Sequence, residues 1–367
     1  MSAITAINRL SHSFRLAVSV VALAGCHRAP EPADAPVVTF LCYHTFDSAK
    51  PSPYTVDSRQ FEEQMRFLAV QHIPVIPLSD YLSHLEHQTP LPPRSVVITM
   101  DDGYRAVRTK AWPVLKRHGF PFTLFVYPQA IGRHASALTW PELRRMSRAG
   151  VDIQSHSLTH PLLTHPPQAM SPEEYRDWVD NELRQSKEEI ETQLHKPVTA
   201  LAYPFGGYDE FIVERVRAAG YRMALTCDDG DVSRRSDPWH LHRRLVYRRN
   251  SVKRYVKFFM GKPLVLADLS PRDGERIRGP VREIQARVVN VKEILPETAK
   301  IIVDKLGNSP QPAPIDAKTG QLRFPLPVET KRGYYFVSLM ARDRASPDLW
   351  RETSWLFIIS RNTSKNR

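Results

Sequence analysis

Short apolar segments alternate with amphipathic segments through residues 37–226, and this alternation restricts the fold more than any other feature of the sequence. The apolar segments are rich in β-branched residues, which is typical of buried strands. They predict strands over 37–43, 73–78, 96–100, 122–127, 151–154, 198–203 and 223–226. Helices are predicted between them, over 58–70, 78–85, 105–118, 141–149, 172–194 and 209–219. Strands alternating with helices form mainly parallel sheets, and about seven such units predict an α/β protein with a complete or incomplete barrel rather than an open sheet.

The pattern changes at about residue 261, where helical periodicity almost disappears. Strand-like segments follow over 281–289, 299–303, 321–325, 334–342 and 354–359, separated by turn sequences such as Arg272-Asp273-Gly274. This texture predicts a small all-β domain over residues 261–367, most simply an immunoglobulin-like sandwich. Residues 37–260 would then form the α/β domain.

The N-terminal residues are typical of an exported protein. Arg9 and Arg15 precede an apolar segment, residues 16–24, that is too short for a permanent membrane span. The sequence then reads Leu-Ala-Gly-Cys26, which resembles the lipobox of bacterial lipoproteins; the alternative is an ordinary signal peptide with an unmodified Cys26. Residues 1–26 are predicted as the signal peptide and residues 27–36 as a Pro/Ala-rich tether. Because residue 27 is His and not Asp, the resemblance implies a cell-envelope lipoprotein on the outer membrane, facing the periplasm.

The formal net charge of +12 favours anionic surroundings, but the basic residues are scattered and match no nucleic-acid module. Nucleic acid is therefore not predicted as a partner. Three cysteines are too few for a disulfide scaffold. With Cys26 lipidated, Cys42 and Cys227 could form a bond after export, or remain two separate buried thiols, which we favour.

Two adjacent carboxylates, Asp101 and Asp102, directly follow the predicted strand over 96–100. Polar residues at the C-terminal ends of buried strands lie where α/β proteins place their sites. Neighbouring carboxylates repel each other unless a cation or a shared proton relieves them. The alternative interpretation is a strand-to-helix turn in which one Asp caps the following helix.

His156 and His160 follow another predicted strand and are separated by three residues. A helical turn or a helix-like loop would bring their imidazoles to one face, which suits a tetrahedral metal ion. A carboxylate from Asp102 or Asp101 would complete a set that leaves one position open. Alone, the two histidines could equally be surface residues.

Together these motifs resemble the polysaccharide deacetylases of carbohydrate esterase family 4. Residues 99–103 are similar to the first family motif, residues 156–160 to the second, and Tyr203-Pro204-Phe205-Gly206 to the third, which lines the substrate groove. The resemblance covers roughly residues 37–250 and implies a distorted (β/α) barrel of the polysaccharide deacetylase type. It implies Asp101 as general base, Asp102, His156 and His160 as metal ligands, and the backbone N–H of Tyr104 as a donor toward the oxyanion.

The sequence departs from the family pattern at two places. The third motif usually carries an arginine that orients the base, but Leu201-Ala202 stands there, and Arg243 is the nearest substitute. No late copy of the fifth motif is evident; instead Leu41-Cys42-Tyr43-His44 fits it at the first strand. This arrangement resembles the rearranged subgroup that includes poly-N-acetylglucosamine deacetylases of Gram-negative outer membranes, and it implies His44 as general acid. The alternative is that His44 merely ends a strand, with His242 or His240 as the next candidates for the acid.

The predicted function is hydrolysis of N-acetyl groups on an extracytoplasmic N-acetylglucosamine-type polysaccharide by a lipid-anchored, metal-dependent enzyme. Zn²⁺ is the default ion for two histidines and one carboxylate. A second interpretation is deacylation of peptidoglycan or of another acylated carbohydrate. A third, from a different class, is a non-catalytic glycan-binding lipoprotein on the same fold.

Overall fold

A computed structural model of the chain describes residues 36–233, 236–250, 255, 259, 261–307, 309–326 and 330–360. The predicted signal peptide, the lipidation site Cys26 and all but the last residue of the tether lie outside the described residues. None of the helices within these ranges combines the length and the apolarity needed to cross a bilayer.

Seven parallel strands form the main sheet, and they are β1 (Val37–Tyr43), β4 (Arg94–Met100), β5 (Thr123–Val126), β6 (Asp152–Ser155), β7 (Ala200–Ala202), β8 (Met223–Leu225) and β9 (Arg244–Leu245). Their order is β8-β7-β6-β5-β4-β1-β9. Two short strands, β2 (Thr45–Phe46) and β3 (Thr55–Val56), pair with each other beside this sheet. Nearly every position of β1 and β4 is buried, as expected for central parallel strands covered on both faces.

The pairing register brings the ends of β1 and β4 to the same level. Tyr43 is the partner of Met100, and the Asp101 N–H donates to the Tyr43 carbonyl over 2.9 Å. The next residue of each strand, His44 or Asp101, therefore emerges at one edge of the sheet. The sheet is also curled. Within residues 241–245, Leu241 bridges β8 at one edge and β9 pairs with β1, so one short segment connects both sides of the sheet.

The α-helices of the described ranges are α1 (Ser58–Val70), α2 (Leu78–His87), α3 (Trp112–His118), α4 (Trp140–Arg148), α5 (Pro172–Leu194) and α6 (Glu210–Ala218). Helix α1 buries Phe61, Met65 and Leu68 on one face, as their helical spacing predicts. Thr139 and Ser171 begin α4 and α5 with reciprocal capping boxes, which fixes where each helix starts.

Two predicted elements differ from the structure. The predicted strand over 73–78 is wrong: only Val75 bridges Val96, because prolines at 74 and 77 have no N–H for a sheet ladder. The predicted helix over 105–118 is a π-helical turn (Val107–Ala111) followed by α3. Pro113 fits only the first turn of a helix, which is where α3 places it.

The C-terminal β region contains β10 (Leu266–Ser270), β11 (Glu275–Arg278), β12 (Glu283–Val288), β13 (Ile294–Val303), β14 (Gln311–Pro312), β15 (Gln321–Pro325), β16 (Gly333–Asp343) and β17 (Trp350–Ser360). One sheet has the order β10-β12-β15 and the other β11-β17-β16-β13-β14. Apolar residues of both sheets share one buried cluster, so the region is all-β as predicted. Its immunoglobulin-like topology stays a prediction.

The β16–β17 hairpin is buried on both faces. Tyr335, Val337 and Phe357 point into the cluster of the C-terminal β region. The alternate residues Tyr334 and Leu356 belong to the core of the parallel-sheet region. Because side chains alternate across a strand, one hairpin serves two cores.

Candidate active site

The predicted polar residues meet at one cavity of about 460 Å³ at the C-terminal ends of the parallel strands. Each strand delivers its own group, since β1 precedes His44, β4 precedes Asp101 and Asp102, and β6 precedes His156. The cavity is lined by His44, Tyr54, Asp101, Asp102, His156, His160, Phe205, Cys227, Asp228, Asp229, Leu245, Tyr247, Phe336, Ser338 and Ser354.

Asp102, His156 and His160 form a compact group in which one ligand atom from each residue lies within 4.8 Å of the others. Asp102 Oδ1 is 3.7 Å from His156 Nε2 and 3.4 Å from His160 Nε2. The two Nε2 atoms are 3.2 Å apart. Asp102 has a positive φ of 73°, a strained conformation for a non-glycine residue that is characteristic of functional sites.

This group fits a divalent metal ion. His156 Nδ1 lies 2.7 Å from the Ala202 carbonyl, so it carries the proton and leaves the Nε2 lone pair facing the group. Burial lowers the pKa of His156 to about 3, so the imidazole is neutral as a ligand must be. Burial and the neighbouring Asp101 raise the pKa of Asp102 to about 7. A cation bound by this group would favour the ionised carboxylate that a ligand must be.

The segment carrying both histidines is a bent loop and not a turn of helix. Ser157 and His160 have φ values of 64° and 61°. Glu182 of α5 holds the loop, since its carboxylate accepts from the N–H groups of Leu158 and Thr159 at 3.1 and 2.9 Å. The Thr159 hydroxyl donates to the same carboxylate at 2.7 Å. No sequence pattern indicated the role of Glu182, because it is one of many polar residues in α5.

Asp101 is 1% exposed and is paired with Arg243, whose guanidinium donates to both carboxylate oxygens over 2.8 Å. Burial alone would raise the pKa of Asp101, but the charge and the hydrogen bonds of Arg243 hold it below its ordinary value. Arg243 itself is anchored by donating to the Thr226 carbonyl at 2.8 Å. Asp101 is therefore a fixed, ionised carboxylate.

Cys42 and Cys227 are free thiols on either side of this pair. Cys42 Sγ lies 3.4 Å from Asp101 Oδ2, and Cys227 Sγ lies 3.7 Å from the Arg243 guanidinium. Burial raises the pKa of both thiols, that of Cys227 to about 12. They are neutral at physiological pH and fill space around the ion pair.

His44 lines the cavity beside Asp101, with one ring nitrogen within 4.8 Å of a carboxylate oxygen. Its ring packs on Tyr54 at a centroid distance of 4.9 Å, and its Nδ1 has no partner among the described residues. Burial lowers the pKa of His44 to about 4, although Asp101 opposes this shift. His240 stacks on Tyr208 and His242 packs on Gly230, so neither fallback candidate faces the cavity.

The loop expected to line the substrate groove divides its residues between cavity and core. Phe205 is 61% exposed and packs on His160 at 4.6 Å, so it faces the cavity. Tyr203 is fully buried and donates to the Trp239 carbonyl, and Pro204 and Gly206 are buried as well. Gly206 has a φ of 72°, and a Cβ there would lie 2.7 Å from Cys227 Cβ, so only glycine fits.

Tyr104 follows Gly103, whose φ of 71° turns the chain after the two aspartates. Within the described ranges the Tyr104 N–H has no hydrogen-bond partner. The β-bridge between Tyr104 and Ala137 is formed by the N–H groups of their neighbours: Arg105 donates to the Ser136 carbonyl, and Leu138 donates to the Gly103 carbonyl. Tyr104 is not among the residues that line the cavity. Its backbone N–H is an unpaired donor within these ranges, and the oxyanion role stays a prediction.

Comparison with known proteins identifies the class. Residues 88–224 match the family model for polysaccharide deacetylases. The protein YxkH of Bacillus subtilis (strain 168), named after the same family, is 28% identical over 216 residues, which are 59% of this chain and 72% of YxkH. The poly-beta-1,6-N-acetyl-D-glucosamine N-deacetylase of Staphylococcus aureus (strain N315) is 23% identical over 55% of this chain and 71% of its own length.

Solved structures share the fold. The Streptococcus pyogenes deacetylase PplD, solved in complex with acetate, superposes with a TM-score of 0.56 at 21% identity, over 61% of this chain and 99% of PplD. IcaB from Ammonifex degensii gives 0.54 at 23% identity, over 60% of this chain and 97% of IcaB. Residues 88–224 therefore match the polysaccharide deacetylases of carbohydrate esterase family 4, and the solved deacetylases show the same fold.

Proposed function

We propose that this protein removes N-acetyl groups from an N-acetylglucosamine-type polysaccharide, using a divalent metal ion for which Zn²⁺ is the first candidate. One observation carries the proposal: a buried Asp101–Arg243 pair, His44 and the Asp102–His156–His160 group all face one cavity. A protein of the same fold that had lost its activity would have no reason to retain the base, the metal ligands and the candidate acid together. The staphylococcal relative is named for this reaction.

The proposed mechanism assigns a proton-transfer role to two side chains. Asp102, His156 and His160 would hold the metal ion, which would supply Lewis-acid polarisation of the acyl carbonyl. Asp101 takes a proton from the attacking water, and Arg243 keeps its carboxylate ionised and oriented for that task. The Tyr104 N–H is proposed to donate to the developing oxyanion.

His44 is proposed to protonate the leaving amine. Burial lowers its pKa to about 4, so the imidazole is neutral at neutral pH. We propose that His44 receives the proton that Asp101 removes from water, since the two groups are neighbours in the cavity. The proton then passes to the amine as the carbon–nitrogen bond breaks, so acetate and a free amine leave the site.

The test is release of acetate from a panel of N-acetylated polymers and oligosaccharides, including peptidoglycan fragments, before and after treatment with a chelator. Chelator-sensitive release from N-acetylglucosamine polymers is expected. Release only from peptidoglycan would favour the second interpretation. Polymer binding without release, by metal-loaded protein, would favour a glycan-binding lipoprotein.

The location of the enzyme is also a proposal. We propose that Cys26 carries the lipid that holds the protein on the outer membrane, where the polymer would reach it. The proposal is supported by the signal-peptide pattern and by the lipobox-like residues before Cys26. We further propose that residues 37–260 and 261–367 form two domains, the second of immunoglobulin-like topology.

A further inference from the structure

The cavity has a wall that does not come from the parallel-sheet region. Three of its lining residues, Phe336, Ser338 and Ser354, belong to the β16–β17 hairpin of the C-terminal β region. Ser338 and Ser354 are directly paired across the two strands, and Phe336 lies two residues along β16. By the two-residue period of a strand, all three side chains lie on one face of the hairpin.

This face is fixed against the candidate active site by polar contacts. The Ser354 hydroxyl donates to the Asp229 carbonyl over 2.7 Å, beside the cavity. Arg244 of β9 forms a salt bridge with Glu352 of β17. Tyr208 donates to Asp273 at 2.7 Å, and the same carboxylate accepts the Leu356 N–H at 3.1 Å. Hydrogen bonds from both sides converge on Asp273, so the hairpin is held in place.

The same face of the hairpin also packs against the chain next to the loop that carries Phe205. Tyr334 is buried against Gly207, where an added Cβ would lie 3.1 Å from the tyrosine oxygen. Gly207 directly follows the loop that presents Phe205 to the cavity. Phe336 is the next residue on the face of Tyr334, and the two rings stack at 6.5 Å. Phe336 is only half-buried, so part of its ring remains open to the cavity.

We infer that Phe336 and Ser338 form a sugar-binding wall, a specificity element that the C-terminal β region adds to the site. This inference rests on the proposed function. Its occupant is the sugar unit next to the one that is deacetylated: the ring of Phe336 packs on a pyranose face, and the Ser338 hydroxyl bonds a sugar hydroxyl. A substrate that extends beyond one sugar uses this wall, whereas a single N-acetylated sugar does not reach it.

The experiment measures kcat/KM for N-acetylglucosamine oligosaccharides of one to five units with metal-loaded full-length protein. Phe336→Ala should lower kcat/KM about tenfold for the longer oligosaccharides and much less for the monosaccharide. Ser338→Trp, which fills the wall with a bulky side chain, should also act most strongly on the longer substrates. Phe324→Ala is the matched control, because Phe324 is a half-buried phenylalanine of β15 that packs only on the cluster of the C-terminal β region.

The outcomes separate the two proposals. A length-dependent loss in both wall variants, absent from Phe324→Ala, supports the inference. A wild-type enzyme that deacetylates oligosaccharides, with Phe336→Ala and Ser338→Trp affecting all lengths equally or not at all, overturns the wall and leaves the proposed function intact. A wild-type protein inactive on every oligosaccharide overturns both. Melting temperatures identify a variant that fails to fold, and Phe336→Leu then replaces Phe336→Ala.

Discussion

Arg243 and Asp101 form a doubly hydrogen-bonded ion pair in which both contacts measure 2.8 Å and neither side chain is more than 1% exposed. The next residue, Arg244, makes a similar pair with Asp231 at 3.0 and 3.1 Å. The two arginines therefore offer the same chemistry from consecutive residues, but only the carboxylate held by Arg243 lines the cavity.

This geometry supplies a matched pair of variants. Arg243→Met and Arg244→Met should each lower the free energy of unfolding by about 3–5 kcal/mol, because each leaves a buried carboxylate without its partner. Only Arg243→Met should also lower turnover by the folded protein, by about 10²-fold or more, because Asp101 loses its orientation. Urea unfolding and acetate release measure the two effects. Equal loss of activity in both variants would show that Arg243 matters only for stability.

Metal binding should depend on His156. His156→Ala leaves Asp102 and His160 as the remaining ligands of the group, so the variant should lose both bound metal and activity. Elemental analysis of the purified protein measures metal per chain. His165→Ala, a nearby histidine outside the group, is expected to retain the ion. A fully active metal-free wild-type preparation would contradict the assignment of the site.

His44 should affect proton transfer and not metal content. His44→Ala is expected to lower amide turnover about 10²–10⁴-fold, the usual contribution of general acid catalysis. The loss should be smaller for an activated acetate ester, whose leaving group needs no proton. If the variant lost metal, His44 would be a ligand. If amide turnover were unchanged, the general acid would be a group other than His44.

Asp228 should make the protein less stable as pH rises. It is 2% exposed, and burial together with the neighbouring Asp273 raises its pKa well above the ordinary value. Folding therefore takes up a proton, and stability falls by at most about 1.4 kcal/mol per pH unit from roughly pH 4 up to the raised pKa. Asp228→Asn removes this dependence. The melting temperature of the variant should therefore rise relative to that of the wild type as the pH increases from 4 to 8.

An exposed residue provides the control for that comparison. Asp177→Asn, on the solvent face of α5, should follow the wild-type pH dependence throughout. Parallel curves for Asp228→Asn and the wild type would mean that Asp228 is ionised in the folded protein.

The lipid anchor is testable by cell fractionation. Cys26→Ser should move the protein from the membrane fraction to the soluble fraction, because the acyl chains are the proposed attachment. Unchanged membrane association would indicate that another feature of the chain holds it there.

The sequence was informative where function lies within a few residues of a strand end. Asp101 and Asp102 share one strand end, and His156 and His160 share one loop, so chain proximity alone predicts their clusters. Parallel pairing then predicts that those clusters converge, because every strand ends at the same edge. The register of β1 and β4 brings His44 to Asp101 for the same reason.

Residues that act across the fold were harder to predict. Strand β9 is only two residues long and has no apolar run, so its role in presenting Arg243 is invisible as a pattern. Glu182 looks like one more charge on a polar helix until its loop partners are known. Along β16, Phe336 alternates with residues of the C-terminal β core, as in any strand that is buried on one face. Nothing in the neighbouring sequence indicates that the face carrying Phe336 packs on a second core.

The doubly buried β16–β17 hairpin has a consequence for the order of folding. Tyr334, Leu356 and Ile358 belong to the core around the parallel sheet, although they follow the end of its last strand by 89 to 113 residues. During synthesis the parallel-sheet region therefore leaves the ribosome before part of its core has been made. We expect this region to stay incompletely packed, and accessible to chaperones and proteases, until residues 350–360 have been made and the hairpin can dock.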